Sequence, residues 1–162
     1  MSRTDKYNYY LDIAEVILER GTCLRKNYGS VIVKNDEIIA TGYTGSPRGT
    51  VNCSDIGRCM REEMKIERGT RYELCRSVHS EANAIISASR SDMIGSSLYL
   101  VGREVKTGQY VLNANSCIMC KRLIINAGIV QVVIRDTKED YRIIQVSEWV
   151  EQSLDVFTQT GY

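Results

Sequence analysis

The sequence has almost no excess of either charge, since its 162 residues include 21 Lys and Arg against 20 Asp and Glu. A chain this close to neutrality lacks the basic surface that long nucleic acid requires, so any charged ligand must be bound by a local group of side chains. No apolar run approaches the roughly 20 residues that span a bilayer, and the segment from Met1 to Tyr10 is too polar for a secretory signal. We therefore expect a cytoplasmic protein that binds neither a membrane nor long nucleic acid.

Proline and histidine are also scarce, with one of each, whereas cysteine is not. The 43% hydrophobic and 25% charged composition excludes general disorder, and the length predicts a single domain over residues 1–162. Six cysteines in a reducing compartment do not predict disulfides. Together with His79 they are the candidate metal ligands of the chain.

Apolar residues with helical or alternating spacing divide the chain into helices and strands. Thr4 is the candidate N-cap of the first helix, and the pair Asn35-Asp36 suits a tight turn between the first two strands. The predicted helices cover residues 5–20, 60–67, 80–90 and 117–127, and the predicted strands cover residues 30–34, 37–43, 98–102 and 130–135. This alternation predicts an α/β sandwich whose later strands are parallel and joined by right-handed crossovers.

Three segments fall outside this pattern. Residues 44–76 form a long loop, and residues 103–115 form an insertion with a candidate hairpin at residues 106–109. The tail from residue 141 is predicted to hold a short strand and a helix through Trp149, and then to fray over residues 156–162. A loop as long as the first of these is normally functional or is held by something other than packing.

Four cysteines suggest what holds the long loop. Cys53, Cys59 and Cys75 lie within it, and Cys23 follows the first helix. Four thiolates are the ligand set of a closed tetrahedral zinc site, which would attach the loop to the end of that helix. The alternative is that some of the four are ordinary buried thiols.

Two short motifs carry the chemistry that we expect. His79-Ser80-Glu81 and Cys117-Ile118-Met119-Cys120 each open a predicted helix, where the helix dipole and the free N–H groups stabilise thiolates. His79, Cys117 and Cys120 would be three zinc ligands, with a fourth position open to a water molecule whose pKa falls to about 7. Glu81 is not a ligand in this arrangement and is the candidate proton shuttle.

Each motif alone is weak evidence. A Cys-x-x-Cys pair also occurs in redox sites and in structural zinc knuckles, and a single His-x-Glu has little specificity. Both motifs occur at helix starts in an alternating α/β pattern. This combination favours a catalytic zinc site, with an open position, rather than a closed structural site.

With these motifs in place, the sequence resembles the deoxycytidylate (dCMP) deaminases of the zinc-dependent cytidine deaminase superfamily. The matching segments lie between residues 22 and 135: Thr22-Cys23, residues 42–49, Asn52-Cys53, residues 75–85, and residues 117–129 with Ala127-Gly128-Ile129. The resemblance implies a three-layer α/β/α fold around a five-stranded mixed sheet. It also implies a hydrolase that converts dCMP and water to dUMP and ammonia, a step that feeds thymidylate synthesis.

The resemblance implies roles for particular residues and partners. His79, Cys117 and Cys120 hold the catalytic zinc, Glu81 shuttles the proton, and the four remaining cysteines hold a second, structural zinc. Members are usually homohexamers, activated by dCTP with magnesium and inhibited by dTTP. The candidate substrate or effector contacts are Thr44, Gly45, Arg48, Asn83, Arg90 and Arg103.

The chain departs from the family pattern in four places. Family members usually have alanine at the position of Ser80, proline at that of Ser116 and asparagine at that of Thr44. They also lack the insertion 103–115 that this chain contains. Ser80 and Ser116 supply no metal ligand and are expected to be tolerated. Thr44 cannot reproduce the donor and acceptor of an asparagine amide, so recognition of the sugar or the base is expected to differ.

Contacts to the phosphate and the base have two interpretations. Arg48, Arg90 and Arg103 are candidates for a phosphate because arginine binds phosphate through two parallel hydrogen bonds, and a solvated surface arginine is the alternative. Tyr43 and Tyr110 are candidates for stacking on a base, and packing within the fold is the alternative.

Other functions remain open at this stage. The substrate could be another cytosine nucleotide, such as CMP, a modified dCMP or dCTP. A tRNA adenosine deaminase fits less well, because the expected basic footprint is lacking. A nucleotide-sensing zinc protein without turnover is the remaining alternative, but a structural zinc site has no need of a carboxylate such as Glu81.

Overall fold

The computed structural model describes residues 1–158, which contain a five-stranded sheet with strand order β2-β1-β3-β4-β5. β1 and β2 form a hairpin, β3 pairs with the other side of β1, and β5 lies at the far edge. The strands are β1 (Lys26–Lys34), β2 (Glu37–Tyr43), β3 (Ser97–Glu104), β4 (Gln131–Arg135) and β5 (Tyr141–Gln145). β1 begins four residues earlier than the hydrophobic pattern predicts.

The sheet is mixed, as the resemblance implies, but its parallel part is small. β3 and β4 are parallel, whereas β1 is antiparallel to both β2 and β3. The expectation that all the later strands are parallel is wrong for β5, which is antiparallel to β4. The physical reason is the short connection, residues 136–140, because a parallel crossover needs about a dozen residues.

Helices cover both faces of the sheet, so the predicted three-layer α/β/α fold is confirmed. The helix α1 (Lys6–Leu18) packs on one face, against β1 and β3. The other elements are α2 (Cys53–Ile56), α3 (Met60–Glu63), a 3₁₀ turn (Tyr72–Leu74), α4 (Ser80–Ile86), α5 (Arg90–Met93), α6 (Ile118–Ala127), α7 (Val146–Glu151) and α8 (Ser153–Val156). The second core, on the opposite face, includes side chains of α4, α6 and α7.

Turns and caps explain most of the element boundaries. Asn35 and Asp36 both have positive φ, at 51° and 64°, as the predicted two-residue hairpin turn requires. Asp5, rather than Thr4, is the N-cap of α1, since its carboxylate accepts a hydrogen bond from the Asn8 N–H. The single helix expected over residues 80–90 is divided in two, because Ser89 caps a new helix.

The long loop contains more structure than the sequence indicates. Its predicted helix over residues 60–67 is confined to α3, while α2 and the 3₁₀ turn were not predicted. The insertion begins as the predicted hairpin, with an isolated bridge between Arg103 and Tyr110. Val111 and Ala114 then enter the core, so the insertion is part of the packed domain.

The C-terminal segment from residue 141 contains the last strand and two short helices. β5 continues directly into α7, which contains the buried Trp149, and α8 ends at Val156. Residues 159–162, where most of the frayed tail was predicted, lie outside the described residues. Within residues 1–158, no helix has both the length and the apolar character needed to cross a membrane.

A glycine lets α4 lie close to the sheet. A Cβ placed on Gly42 of β2 would lie 2.3 Å from the Ser80 carbonyl oxygen and 2.4 Å from the Ala84 nitrogen. Both contacts are shorter than real Cβ atoms allow, so a larger residue would displace the start of α4. The position of His79, which precedes this helix, therefore depends on Gly42.

A buried arginine joins α1 to the end of β4. The Arg135 side chain is fully buried, and its guanidinium donates hydrogen bonds to Asp12 at 2.9 Å and to Glu15 at 2.6 Å. It also donates to the Asn8 side-chain oxygen at 2.8 Å. Glu15 also pairs with Arg103 and, at 3.4 Å, with Lys138, so loss of Arg135 would remove hydrogen bonds without leaving this carboxylate unpaired.

We expect Arg135→Met to lower the free energy of unfolding by about 2–3 kcal/mol, because Asp12, Glu15 and Asn8 would each lose a hydrogen bond to the buried guanidinium. Urea unfolding at neutral pH measures this. Arg122→Met, on the exposed face of α6, is the matched control and should change stability by less than about 0.5 kcal/mol. A loss below about 1 kcal/mol for Arg135→Met would show that the network does not hold α1 in place.

Candidate metal centre and active site

Three side chains converge where α4 and α6 begin. The His79 Nδ1 atom lies 3.3 Å from the Cys117 Sγ and 3.5 Å from the Cys120 Sγ. Among residues 1–158, these side chains form the one group of three or more His, Cys, Asp or Glu residues whose ligand atoms all lie within 4.8 Å of one another. The structure therefore brings the three predicted ligands together.

The donor set fits zinc. Zn–N and Zn–S bonds of about 2.0 and 2.3 Å at tetrahedral angles place nitrogen and sulfur roughly 3.5 Å apart, which matches the two separations. His79 is the N-cap residue of α4 and Cys117 is that of α6, so the ligands lie at the positive ends of two helices. The hydrogen bond with Cys120, and then that with His79, lowers the pKa of Cys117.

Glu81 lies beside this centre without belonging to it. It is 4% exposed, and it lines the same cleft as His79 and Cys117. Burial raises the pKa of the Glu81 carboxyl above its ordinary value. A buried carboxyl next to an open metal position is able both to accept and to donate a proton.

Two serine hydroxyls form a hydrogen-bonded chain that ends at the Glu81 carboxyl, and no motif in the sequence predicts this chain. The Ser80 hydroxyl donates to the Glu81 Oε2 at 3.2 Å, and it lies 2.7 Å from the Ser30 hydroxyl on β1. Because Ser80 has a single proton to donate, Ser30 is the donor to Ser80 when Ser80 donates to Glu81. Ser80, expected to be merely tolerated, is thus a hydrogen-bond partner of the candidate proton shuttle.

The cleft in front of the metal centre is formed mainly by β1, the long loop and the start of α4. Tyr72 packs edge-on against the His79 ring, with the ring centroids 5.0 Å apart. The lining residues are Cys23, Arg25, Lys26, Tyr28, Thr44, Cys59, Arg61, Arg68, Gly69, Tyr72, Cys75, Ser77, His79, Ser80, Glu81, Asn115 and Cys117. Asn115 shows that the insertion contributes to the cleft wall.

Arg61 is a second feature that sequence reasoning missed. Its side chain is buried, and its guanidinium donates to the carbonyl oxygens of Glu67, Thr70 and Arg71 at 3.1, 2.6 and 2.6 Å. It also lies over the Tyr72 ring, with the Cζ atom 4.9 Å from the ring centroid. Neither the spacing nor the residue types around Arg61 indicate this role, because its partners are backbone atoms.

The four remaining cysteines lie in or near the same cleft. Cys23, Cys59 and Cys75 line the cleft, and the Cys53 Sγ lies 3.7 Å from the Ser77 hydroxyl. Burial raises the pKa of Cys75. The four sulfur atoms are not gathered within 4.8 Å of one another.

The three arginines predicted to bind phosphate lie away from the cleft. Arg48 lines a separate surface cleft next to Gly49. Arg90 donates to the Asn126 carbonyl at 2.7 Å, and Arg103 forms ion pairs with Glu15 of α1 and with Glu19, which follows that helix. The structure brings none of the three next to His79 and Glu81.

Of the other predicted contacts, Thr44 alone lines the cleft. Its hydroxyl accepts a hydrogen bond from the Tyr28 N–H at 3.0 Å. Gly45 forms a bridge with Val78, and the Asn83 side chain donates to the Tyr43 carbonyl at 2.8 Å. Gly45 and Asn83 therefore connect the end of β2 to the segment around α4.

The two candidate stacking tyrosines have other neighbours. Tyr43 lines the separate cleft near Arg48, and Arg20 lies 6.0 Å from its ring centroid. The Tyr110 hydroxyl donates to the Glu15 carboxylate, with both oxygens at 3.0 Å. Neither tyrosine lines the cleft in front of His79 and Glu81.

The fold and the site together define a class of protein. The family model for the cytidine and deoxycytidylate deaminase zinc-binding region matches residues 4–136. The chain therefore belongs to this family of zinc-binding hydrolytic deaminases.

Individual relatives place the chain more closely within the family. It is 36% identical over 135 residues to the deoxycytidylate deaminase of Mycobacterium phage D29, and the match covers 82% of this chain and 96% of that protein. Its identity to the deoxycytidylate deaminase of Schizosaccharomyces pombe is 30% over 126 residues, which is 78% of this chain and 35% of the yeast protein. The chain thus spans nearly the whole phage relative and about a third of the yeast one.

Solved structures share the fold. The dCMP deaminase of cyanophage S-TIM5, in complex with dCMP and dUMP, superposes with a TM-score of 0.59 at 22% identity and covers 99% of this chain and 96% of its own. The cytidine deaminase of Burkholderia pseudomallei has the same TM-score at 15% identity, over 89% of this chain and 95% of its own. At these identities the likeness establishes the fold alone.

We expect Cys120→Ser to reduce the zinc content by one equivalent per chain, because it removes one of three protein ligands at the centre. Elemental analysis of the purified proteins measures the loss. Met119→Leu, between the two cysteines, is the control and should retain the metal. Equal zinc in Cys120→Ser and the parent protein would contradict the assignment of this centre.

Proposed function

We propose that this protein is a zinc-dependent hydrolytic deaminase that converts dCMP and water to dUMP and ammonia. The observation that carries the proposal is the convergence of His79, Cys117 and Cys120 beside the buried carboxyl of Glu81, within one cleft. Family membership supports the reaction type, and the deoxycytidylate deaminases among its relatives support dCMP as the substrate.

The proposed chemistry divides between the metal and the chain. Zinc held by His79, Cys117 and Cys120 would supply a Lewis acid that lowers the pKa of a water molecule in the fourth position to about 7. Glu81 takes a proton from that water and passes it to the ring nitrogen of the cytosine. A bond then forms between the water oxygen and the amino-bearing carbon.

Glu81 acts again when the product forms. The carbon–nitrogen bond breaks, and the remaining proton reaches the amino group through the same carboxyl, so that ammonia leaves and the uracil carbonyl remains. The Ser80 hydroxyl keeps the carboxyl facing the centre by its hydrogen bond to Oε2. Burial of Glu81 keeps bulk water from competing for these protons.

Deamination of another cytosine nucleotide is the second candidate, because Thr44 lines the cleft where the family usually has asparagine. Ammonia release from dCMP, CMP, dCTP and deoxycytidine separates the candidates. We expect dCMP to have the highest kcat/KM. Ammonia from deoxycytidine alone would contradict a nucleotide substrate, and ammonia from none of them would contradict the enzyme assignment.

We expect Glu81→Gln to lower kcat for dCMP by about 10²–10⁴-fold, because the amide cannot carry the proton. The zinc content should be unchanged, and this separates the proton shuttle from a structural role. Glu148→Gln, an exposed carboxylate on α7, is the control and should retain full activity. More than a tenth of the parent activity in Glu81→Gln would show that another group transfers the proton.

A second, structural zinc held by Cys23, Cys53, Cys59 and Cys75 is part of the proposal. Two hydrogen bonds already join the segments that carry the first two of these cysteines: the Ser54 N–H donates to the Thr22 carbonyl at 3.0 Å, and the Thr22 hydroxyl donates to Asn52 at 3.1 Å. A metal there would fix the long loop against the segment that follows α1, because structural zinc binding is coupled to folding.

We expect two zinc ions per chain in the parent protein and one in Cys53→Ser. The variant should also become sensitive to proteolysis within residues 44–76, since the loop would lose its metal. Elemental analysis and limited proteolysis measure the two effects. One zinc per chain in the parent protein, with none lost in Cys53→Ser, would contradict the structural site.

Regulation and assembly complete the proposal. We propose a cytoplasmic homohexamer that is activated by dCTP with magnesium and inhibited by dTTP, as the resemblance implies. The second cleft, which Arg48 and Gly49 line, is the candidate site for these effectors. The molar mass in solution and dCMP turnover with each triphosphate test the assembly and the regulation.

A further inference from the structure

We propose that Arg68 binds the phosphate of the substrate and that Arg61 is the positioning residue that holds Arg68 at the cleft. This inference rests on the proposed function, since it assigns the residue that recognises the nucleotide in the deaminase site. Arg68 and Arg61 both lie in the long loop, which the sequence singled out as functional or held by something other than packing.

Four cationic side chains line the cleft. Arg25, Lys26, Arg61 and Arg68 line it, whereas Glu81 is the one acidic side chain among the lining residues of the described chain. The whole protein carries a net charge of only +1, so this is a local concentration of charge. A cleft lined by cations attracts an anionic ligand, and a nucleotide phosphate is such a ligand.

Three of the four cations already have partners. Arg25 pairs with Glu62 at 3.4 Å, and Lys26 pairs with Glu104 at 3.4 Å. Arg61 uses both terminal nitrogens on backbone carbonyls.

Arg68 is the cation that remains for a ligand. It is exposed, and within residues 1–158 its side chain has neither a carboxylate nor a carbonyl partner. Its loop neighbours Arg58 and Arg71 are both paired, with Glu63 and Glu73. The five N–H donors of a guanidinium match the oxygens of a phosphate.

Arg61 fixes the backbone on both sides of Arg68. The Glu67 carbonyl precedes Arg68 and the Thr70 carbonyl follows it, and one guanidinium nitrogen of Arg61 donates to both. The turn between them includes Gly69 with a positive φ of 80°. A lysine has a single nitrogen and no rigid fork, so it would not hold the same carbonyls in one plane.

Tyr72 connects this turn to the metal centre. Arg61 lies over one side of the Tyr72 ring, and the His79 ring packs against Tyr72 at 5.0 Å. These contacts therefore connect the backbone around Arg68 to His79 of the metal centre. This arrangement predicts that the site prefers substrates whose phosphate lies at a fixed distance from the base, as in a nucleoside monophosphate.

The test is a comparison of dCMP with deoxycytidine in Arg68→Ala. We expect KM for dCMP to rise by about 10-fold or more, kcat to change by less than about 2-fold, and kcat/KM for deoxycytidine to stay the same. Arg58→Ala, an exposed arginine of the same loop that does not line the cleft, should match the parent protein. An unchanged KM for dCMP, or equal losses on both substrates, would overturn the assignment.

Arg61→Met tests the positioning role. We expect it to raise KM for dCMP about as much as Arg68→Ala, and we expect the double variant to be no worse than either single one, because both changes remove the same contact. Arg61→Lys should not restore KM. Additive effects of the two changes would show that Arg61 does not act through Arg68. If Arg61→Met fails to fold, the Arg68→Ala variant alone still tests whether Arg68 binds the phosphate.

A binding measurement separates this inference from the proposed function. Calorimetric titration with dUMP and with deoxyuridine needs no turnover, so it is informative even if the parent protein releases no ammonia from dCMP. Arg68→Ala should lose about 10-fold in affinity for dUMP and nothing for deoxyuridine. Absence of turnover would contradict the deaminase, whereas equal affinity of dUMP for parent and variant would contradict the role of Arg68.

Discussion

One imidazole and two sulfur atoms must meet where two helices begin, and the rest of the molecule is arranged around that requirement. β1 and β3 are central in the sheet, and α4 and α6 pack together on one face of it. The close approach at Gly42 sets the depth of α4, and a left-handed glycine, Gly128, ends α6. The helix N-termini then provide the positive potential that two neighbouring thiolates need.

Two buried arginines stabilise the surroundings of this centre by different means. Arg135 is neutralised by carboxylates of α1 and holds that helix to the sheet on the face away from α4 and α6. Arg61 has three carbonyl partners, so its positive charge is not neutralised by an adjacent carboxylate and adds to the potential of the cleft. The first arrangement supports the fold, whereas the second also suits an anionic substrate.

The sequence predicts those features of the fold and the site that depend on residues close together in the chain. The spacing of Cys117 and Cys120, the helix start at His79 and the Asn35-Asp36 turn each depend on residues within a few positions of one another, and the structure confirms these features. The Ser30–Ser80 contact joins residues 50 positions apart, and nothing in either segment indicates it. Arg61 was missed because its partners are backbone carbonyls, whose positions depend on the loop conformation and leave no trace in residue type. The direction of β5 depends on its short connection to β4, residues 136–140, and the alternation of helices and strands in the sequence does not indicate that direction.

The central claim is that His79, Cys117 and Cys120 hold one zinc ion whose fourth position is open and faces Glu81. A crystal structure with anomalous diffraction data collected at the zinc absorption edge tests it most directly. The account predicts an anomalous peak bonded to one nitrogen and two sulfur atoms, with a solvent oxygen as the fourth ligand within hydrogen-bond distance of the Glu81 carboxyl. A fourth protein ligand on that ion, or a Glu81 carboxyl turned away from it, would contradict the account.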